Sequence, residues 1–365
     1  MSPWKTFFIY IARQFFAWCT GVFLAMLSIV FILDYVELIR RSGTRPEATL
    51  LVLLEMAALK QPYMAQQVMP FAILFGTMMT FWHLTRRHEL VVARAAGISA
   101  WQFLTPPLVG AFLVGIAVVT AFNPIASVMQ ASYEQLDNRV LRGGGEQLTL
   151  TRSGLWLRQS DEDGNHSIVH ANGFLVEQRA LQDVTMLFLE DDKKLVRRLD
   201  AKEAILRDGG WDVIDGNEWE SDKPLKPFDH MTVATNLTSR KIQDSFASPE
   251  TMSFWDLPGF ISLLDASGFS SQRHRLYFNA LLARPFLYAA MVLIAASFSL
   301  RMQRRGGATL MIAAGVASGF ALYFVSDVVF ALGLSATIPI SLAAWTPTGV
   351  TWLLGTSLLL HLEDG

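Results

Sequence analysis

Six apolar runs, each near membrane length, punctuate this chain at 14–36, 62–82, 101–122, 277–300, 308–331 and 338–360. About 20 apolar residues let a helix cross hydrocarbon, because every backbone amide must be satisfied within the segment. The runs therefore predict six transmembrane helices, the second starting near Ala48 and bent at Pro62 and Pro70. Residues 140–250 follow a different pattern. Short stretches with strand-like character occur at Leu148–Leu150, Leu155–Leu157, Ser167–His170, Gly173–Glu177, Val184–Leu189, Ala204–Arg207, Trp211–Ile214 and Met231–Leu237. Turn sequences separate them at Asp163-Gly164-Asn165, Asp208-Gly209-Gly210 and Asp215-Gly216-Asn217. Many short strands so punctuated predict an all-β sandwich or jelly roll. From Pro249 to Ala266 the spacing turns helical, then breaks at Ser267-Gly268. The predicted organisation is three helices with a short charged helix over about 84–98 (residues 1–139), a β-domain (140–250), and a connector helix with three further spans (251–365).

Orientation follows from the basic residues in the short loops. With the N-terminus inside, the cytoplasmic side carries Lys5, Arg13, Arg86, Arg87, Arg94, Arg301, Arg304 and Arg305, and the outer short loops only Arg40, Arg41 and Arg45. This places the β-domain outside and both termini inside. The first run is too long for the apolar core of a signal peptide, about 7–15 residues, and no small-x-small cleavage pattern follows it, so it reads as a retained span. Among 365 residues, 52% are hydrophobic and 17% charged, with a net charge of −2, which excludes a broadly cationic nucleic-acid binder. The single cysteine, Cys19, excludes an intrachain disulfide.

No phosphate-binding Gly-rich loop, zinc-protease His-Glu-x-x-His or Gly-x-Ser-x-Gly elbow occurs, and the seven histidines are scattered. No cofactor or metal is expected. Three groups of charges remain to be explained. Arg86-Arg87-His88-Glu89-Leu90 leads a helical stretch stopped by Gly97. It reads either as a connector lying at the headgroups or as a coupling helix that docks a cytoplasmic partner, where Glu89 suits an arginine on that partner. Asp34-Tyr35-Val36-Glu37 followed by Arg40-Arg41 closes the first span. It reads either as an interfacial helix end with snorkelling arginines or as a phosphate site, since guanidinium forks bind phosphate through paired charge-assisted hydrogen bonds. Arg284 and Asp327 lie within the fourth and fifth spans. They are expected either to pair or to face a polar cavity. Gly315 and Gly319 form a small-xxx-small stretch for close helix approach, within the chain or at a subunit seam.

Taken in order, these segments resemble the lipopolysaccharide-export permeases of the LptF/LptG family, and more closely its LptG branch. The resemblance runs nearly end to end. It is carried by Asp34-Tyr35-Val36-Glu37 with Arg40-Arg41, Glu89-Leu90 with Gly97, Gly154-Leu155-Trp156, Asn236-Leu237-Thr238, Ser267-Gly268, Arg273 with Leu276, Pro285, Ser297-Phe298 and Asp327.

The resemblance implies six helices and a periplasmic β-jelly roll in a bacterial inner-membrane protein. It implies a non-catalytic permease subunit paired with an LptF-type subunit and driven by a cytoplasmic LptB-type ATPase dimer. An LptC-type membrane-anchored jelly-roll protein and an LptA-type periplasmic bridge complete the route for lipopolysaccharide. Arg86, Arg87, Glu89, Leu90 and Gly97 would couple to the ATPase, and Arg40 and Arg41 would meet lipid A phosphates and inner-core sugars. The chain departs from the pattern at Asp34, where some relatives are basic, and at Tyr63, with Lys60 nearby. The family's basic pair after the third span does not align with this chain; Arg139 and Arg142 lie a few residues on. Either the phosphate-binding set is redistributed or the headgroup differs. Competing readings are an LptF-type paralogue, a permease that transmits mechanical work without moving lipid, and a membrane enzyme acting on headgroups.

Overall fold

The structure is a computed structural model that describes residues 3–43, 45, 48–141, 147–151, 154–160, 166–175, 180–190, 194–207, 210–220, 223–235, 247–266, 269–301 and 308–363. The expectations that fall on Arg142, Asp163-Gly164-Asn165, Asn236-Leu237-Thr238, Ser267-Gly268, Arg304 and Arg305 lie outside these residues. The chain divides into two compact units, one comprising 1–133, 253–255 and 272–365, the other 134–252 and 256–271.

The first unit is helical. Its elements are α1 (Pro3–Ser42), α2 (Leu50–Arg86), the short α3 (Glu89–Ala95), α4 (Ala100–Ala117) and most of α5 (Asn123–Leu136). After the second unit come α7 (Gln272–Arg301), α8 (Ala308–Leu334) and α9 (Ile340–Glu363), with α6 (Leu257–Ala266) belonging to the second unit. Among the described residues, five stretches are long and apolar enough to cross a membrane: Thr6–Ser42, Leu50–Arg86, Ala100–Leu141, Gln272–Leu300 and Ala313–Leu334. α9 covers the sixth predicted span, and its 24 residues have the length to cross. Threonines dilute its hydropathy, but Thr346, Thr351 and Thr356 each donate to a carbonyl four residues back. Their hydroxyls are thereby satisfied within the helix.

Two spans extend further than their apolar runs. α2 is one helix from Leu50, capped by Thr49, and it continues unbroken through Pro62 and Pro70. The third span runs on to Leu141 through two π-helical turns, Val118–Phe122 and Asp137–Leu141, so helix continues past the expected domain boundary at 140. Small residues set the closest helix approaches. A Cβ on Gly115 would lie 2.4 Å from Pro285 Cα, and one on Gly76 2.6 Å from Cys19 Cα. Gly315 and Gly319 face Met78 and Phe71 of α2, so the small-xxx-small stretch serves packing within the chain.

Among its described residues the second unit holds seven antiparallel strands, β1 (Gln147–Thr151), β2 (Gly154–Ser160), β3 (His166–Leu175), β4 (Ala180–Glu190), β5 (Lys194–Arg207), β6 (Gly210–Glu220) and β7 (Lys226–Ala234). Each pairs with its sequence neighbours, in the order β1 to β7. Among the described strands this is a meander in one antiparallel sheet. Leu157, Val169, Met186, Leu199, Ala204, Trp211 and Val213 form its core, closed by Leu264 of α6 and by Phe269.

Two expected boundaries fall inside strands. β3 joins the run 167–170 to the described part of the next, 173–175, and Asp215-Gly216-Asn217 lies within β6 rather than in a turn. Pairing skips Asn172 opposite Asp183, Asp183 opposite Lys202, Lys202 opposite Asp215, and Asp215 opposite Asp229. These positions form one line across five strands. Asp183 and Asp215 adopt left-handed backbone there, with φ of 49° and 51°, a conformation that Asp tolerates better than most residues. The inward positions on either side of the line are three residues apart instead of two: 181 and 184 in β4, 201 and 204 in β5, 213 and 216 in β6, 228 and 231 in β7. The extra residue in each strand keeps one face of the sheet apolar through the irregularity. Gly216 is needed at this line, since a Cβ there would sit 2.6 Å from the Asp200 carbonyl oxygen.

The helical stretch expected over 249–266 is also shorter than predicted. It resolves into one 3₁₀ turn, Pro249–Thr251, and α6 from Leu257.

Candidate functional site

The charged segment between α2 and α4 is built by its end signals. α2 ends at Arg86, and His88 turns the chain with φ of 60°. α3 then runs for seven residues and is closed by paired backbone bonds. Ile98 N donates to Ala93 O at 3.1 Å and Gly97 N to Arg94 O at 3.0 Å. This is the Schellman pattern, which places a left-handed residue just past the helix; Gly97 supplies it with φ of 83°. α4 starts two residues later at a capping box, with Ser99 N donating to Gln102 Oε1 and Gln102 N to Ser99 Oγ. The predicted helix of 84–98 is thus a shorter α3, closed at its C-terminus by the Schellman pattern and without a side-chain cap at its N-terminus.

Within this segment Leu90 and Ala93 are buried, and Leu90 packs in a core with Leu84, Phe103 and Leu104. At 4% exposure Leu90 anchors α3 to that core. Val91 and Val92 take the outward face, 58% and 67% exposed, beside the exposed Arg87. Glu89 accepts a hydrogen bond from Tyr10 Oη at 3.2 Å, tying α3 to the start of α1. Arg86 stacks over Trp82 at 5.1 Å and Arg94 over Phe103 at 5.9 Å. Sequence reasoning missed Val91 and Val92, although two apolar residues amid charges were a visible signal.

At the far end of α1, Arg40 and Arg41 occupy the last turn, where cations complement the helix dipole. Arg40 donates twice to Glu37, Nε to Oε2 and Nη2 to Oε1, both at 2.7 Å. The pair is exposed, so solvent screens it and exchange for another anion is easy. Asp34, one turn earlier, accepts from Lys60 Nζ of α2 at 2.6 Å, and Lys60 also lies 5.5 Å from the Tyr133 ring centroid. The acid at position 34 and the base at position 60 therefore neutralise each other.

The intramembrane charges do not meet. Arg284 Nη1 donates to Gln66 Oε1 at 2.6 Å, whereas Asp327 is exposed on α8 with no ion pair among the described residues. Gln66 Oε1 also accepts from Asn123 Nδ2 at 3.4 Å, and Asn123 Oδ1 accepts from Phe254 N at 2.8 Å. Trp255 Nε1 donates to the carbonyl of Thr120, inside the first π-turn. A π-turn shifts the ladder by one residue, and such turns recur where a helix is put to use. Gln66 and Asn123, both buried, escaped sequence reasoning because neutral amides in apolar runs carry no charge signal.

Among the described residues no group of three or more His, Cys, Asp and Glu side chains is placed to hold a metal ion. Residues 9–361 match the family described as lipopolysaccharide export system permease LptF/LptG. The lipopolysaccharide export system permease protein LptG of Escherichia coli (strain K12) is 23% identical over 370 residues, covering 99% of each chain. The protein of the same name from Haemophilus influenzae (strain ATCC 51907 / DSM 11121 / KW20 / Rd) is 23% identical over 303 residues, 76% of this chain and 77% of that one.

Proposed function

Because this chain belongs to the LptF/LptG family of lipopolysaccharide export permeases, we propose that it is the LptG-type, non-catalytic membrane subunit of an ATP-driven lipopolysaccharide exporter. It sits in the bacterial inner membrane with its termini in the cytoplasm and its β-domain in the periplasm. Its partners are an LptF-type permease, an LptB-type ATPase dimer, an LptC-type membrane-anchored jelly-roll protein and an LptA-type bridge.

The observation that carries the reading is α3. A seven-residue helix fixed by a Schellman close and a buried Leu90, and followed at once by the capped start of α4, yet presenting Val91 and Val92 outward, suits a lever that a partner pushes. A stiff element transmits displacement where a frayed loop would absorb it. Glu89 offers its carboxylate beside the two valines. ATP-driven closure of the partner dimer moves α3, and packed helices carry the movement to the lipid-binding surface, where Arg40 and Arg41 meet phosphates. Arg40 exchanges Glu37 for phosphate, both being anions on one exposed guanidinium. The lipid then leaves by the apolar face of the β-sheet towards the bridge.

The test is recovery of the tagged chain from native membranes, with protein partners and bound lipid identified by mass spectrometry. An ATPase and lipopolysaccharide are expected together, and Glu89→Lys should reduce the ATPase recovered while the chain stays folded. Recovery of an ATPase with no lipopolysaccharide would refute export and leave only mechanical coupling.

A further inference from the structure

The charge of Arg284 has no counter-ion among the described residues. Its bond to Gln66 is its one hydrogen bond among the described residues, and no carboxylate there lies within ion-pair distance. A guanidinium is a planar fork of N–H donors that stays charged in proteins. Gln66 is a neutral amide, so it orients the fork without neutralising it. The orientation is firm. Gln66 is itself held between Arg284 and Asn123, and Asn123 by the backbone of Phe254. Pro285, the next residue, lies at the tight α4–α7 approach over Gly115. The other donors of Arg284 are not among the enclosed, unpartnered atoms, so this half-buried side chain keeps accessible N–H groups. Tyr288, one turn along the same face of α7, is fully buried with a hydroxyl that no described group engages. A fixed cation inside a membrane-spanning helix requires an anion, and where no described carboxylate supplies one the surroundings can.

We propose that Arg284 is an anion-binding residue whose open guanidinium edge takes the phosphate of an anionic lipid. Phosphate fits because its oxygens match the fork in paired, charge-assisted hydrogen bonds. The proposal rests on the export reading only for the source of that phosphate, which is either the exported lipid or a lipid of the surrounding bilayer.

The full chain, purified with its accompanying subunits into phosphatidylcholine nanodiscs, can be titrated with phosphatidylglycerol and separately with lipopolysaccharide, with bound lipid counted by native mass spectrometry. Arg284→Gln should weaken binding of at least one of them about tenfold, the effect of one charge-assisted bond. Arg284→Lys should retain part of it. Gln66→Glu should weaken binding as well, because its carboxylate would occupy the guanidinium from within. A purely structural Arg284 would instead keep its lipids in Gln66→Glu. A loss confined to lipopolysaccharide identifies a substrate contact; a loss that includes phosphatidylglycerol identifies a resident-lipid site; either supports the proposal. Unchanged binding of both lipids in Arg284→Gln and Gln66→Glu would overturn it. Arg284-dependent binding of phosphatidylglycerol by a chain that never retains lipopolysaccharide would defeat the export reading and leave this site standing.

Discussion

Asp34 on α1 and Lys60 on α2 form an ion pair of 2.6 Å whose side chains are only 14% and 20% exposed. Partial burial raises the attraction and also the penalty of leaving either partner alone. Asp34→Lys should therefore lower stability by about 3 kcal/mol, and the exchange Asp34→Lys with Lys60→Asp should recover most of it. Thermal unfolding in detergent reads this out. A double variant no more stable than the single one would mean that the pair contributes nothing.

The outward valines and the inward leucine of α3 should respond differently. Val91→Asp should leave the unfolding midpoint in place while weakening ATPase association, because an exposed side chain carries little of the fold. Leu90→Ala should cost about 2–5 kcal/mol of stability, as expected when a buried leucine is truncated. Loss of both properties in both variants would erase the distinction between contact and anchor.

Gly97 can be tested by adding one methyl group. At φ of 83°, Gly97→Ala should cost about 1 kcal/mol through backbone strain alone, since nothing lies within 4 Å of the new Cβ. ATPase activity of the assembled complex should fall more than this small change explains, because the exit angle of α3 would shift. Full activity with the stability loss would show that the angle does not matter.

Gly115 poses the opposite problem, crowding without strain. Gly115→Ala places its Cβ 2.4 Å from Pro285 Cα, so α4 and α7 must separate, at a cost of about 1–3 kcal/mol. An unfolding midpoint equal to wild type would show that this crossing is looser than its geometry indicates.

Much of this architecture was legible in the sequence, for physical reasons. Apolar length marks a span whatever its neighbours do, so the helices could be placed, and Gly97 marked the end of α3 because few residues accept its φ. The extensions were hidden. Residues 123–141 continue a helix with a mixed sequence, and only the structure shows the packing that holds it. Asp215-Gly216-Asn217 looked like a turn because Asp and Gly favour left-handed backbone, and Asp215 does adopt it; the preference was real but served the middle of a strand. The partner of Arg284 lies 218 residues away, and nothing local to either residue announces it. Asp34 was visible as an oddity, but its answer at Lys60 required knowing how α1 and α2 align.

The transverse line through Asn172, Asp183, Lys202, Asp215 and Asp229 ties the lengths of neighbouring strands together. Deleting Asp215 alone would turn half of β6 inside out while β5 and β7 kept their parity. Single-residue insertions and deletions near this line are therefore tolerated only as matched sets, and divergence here should proceed by substitution, with strand lengths frozen.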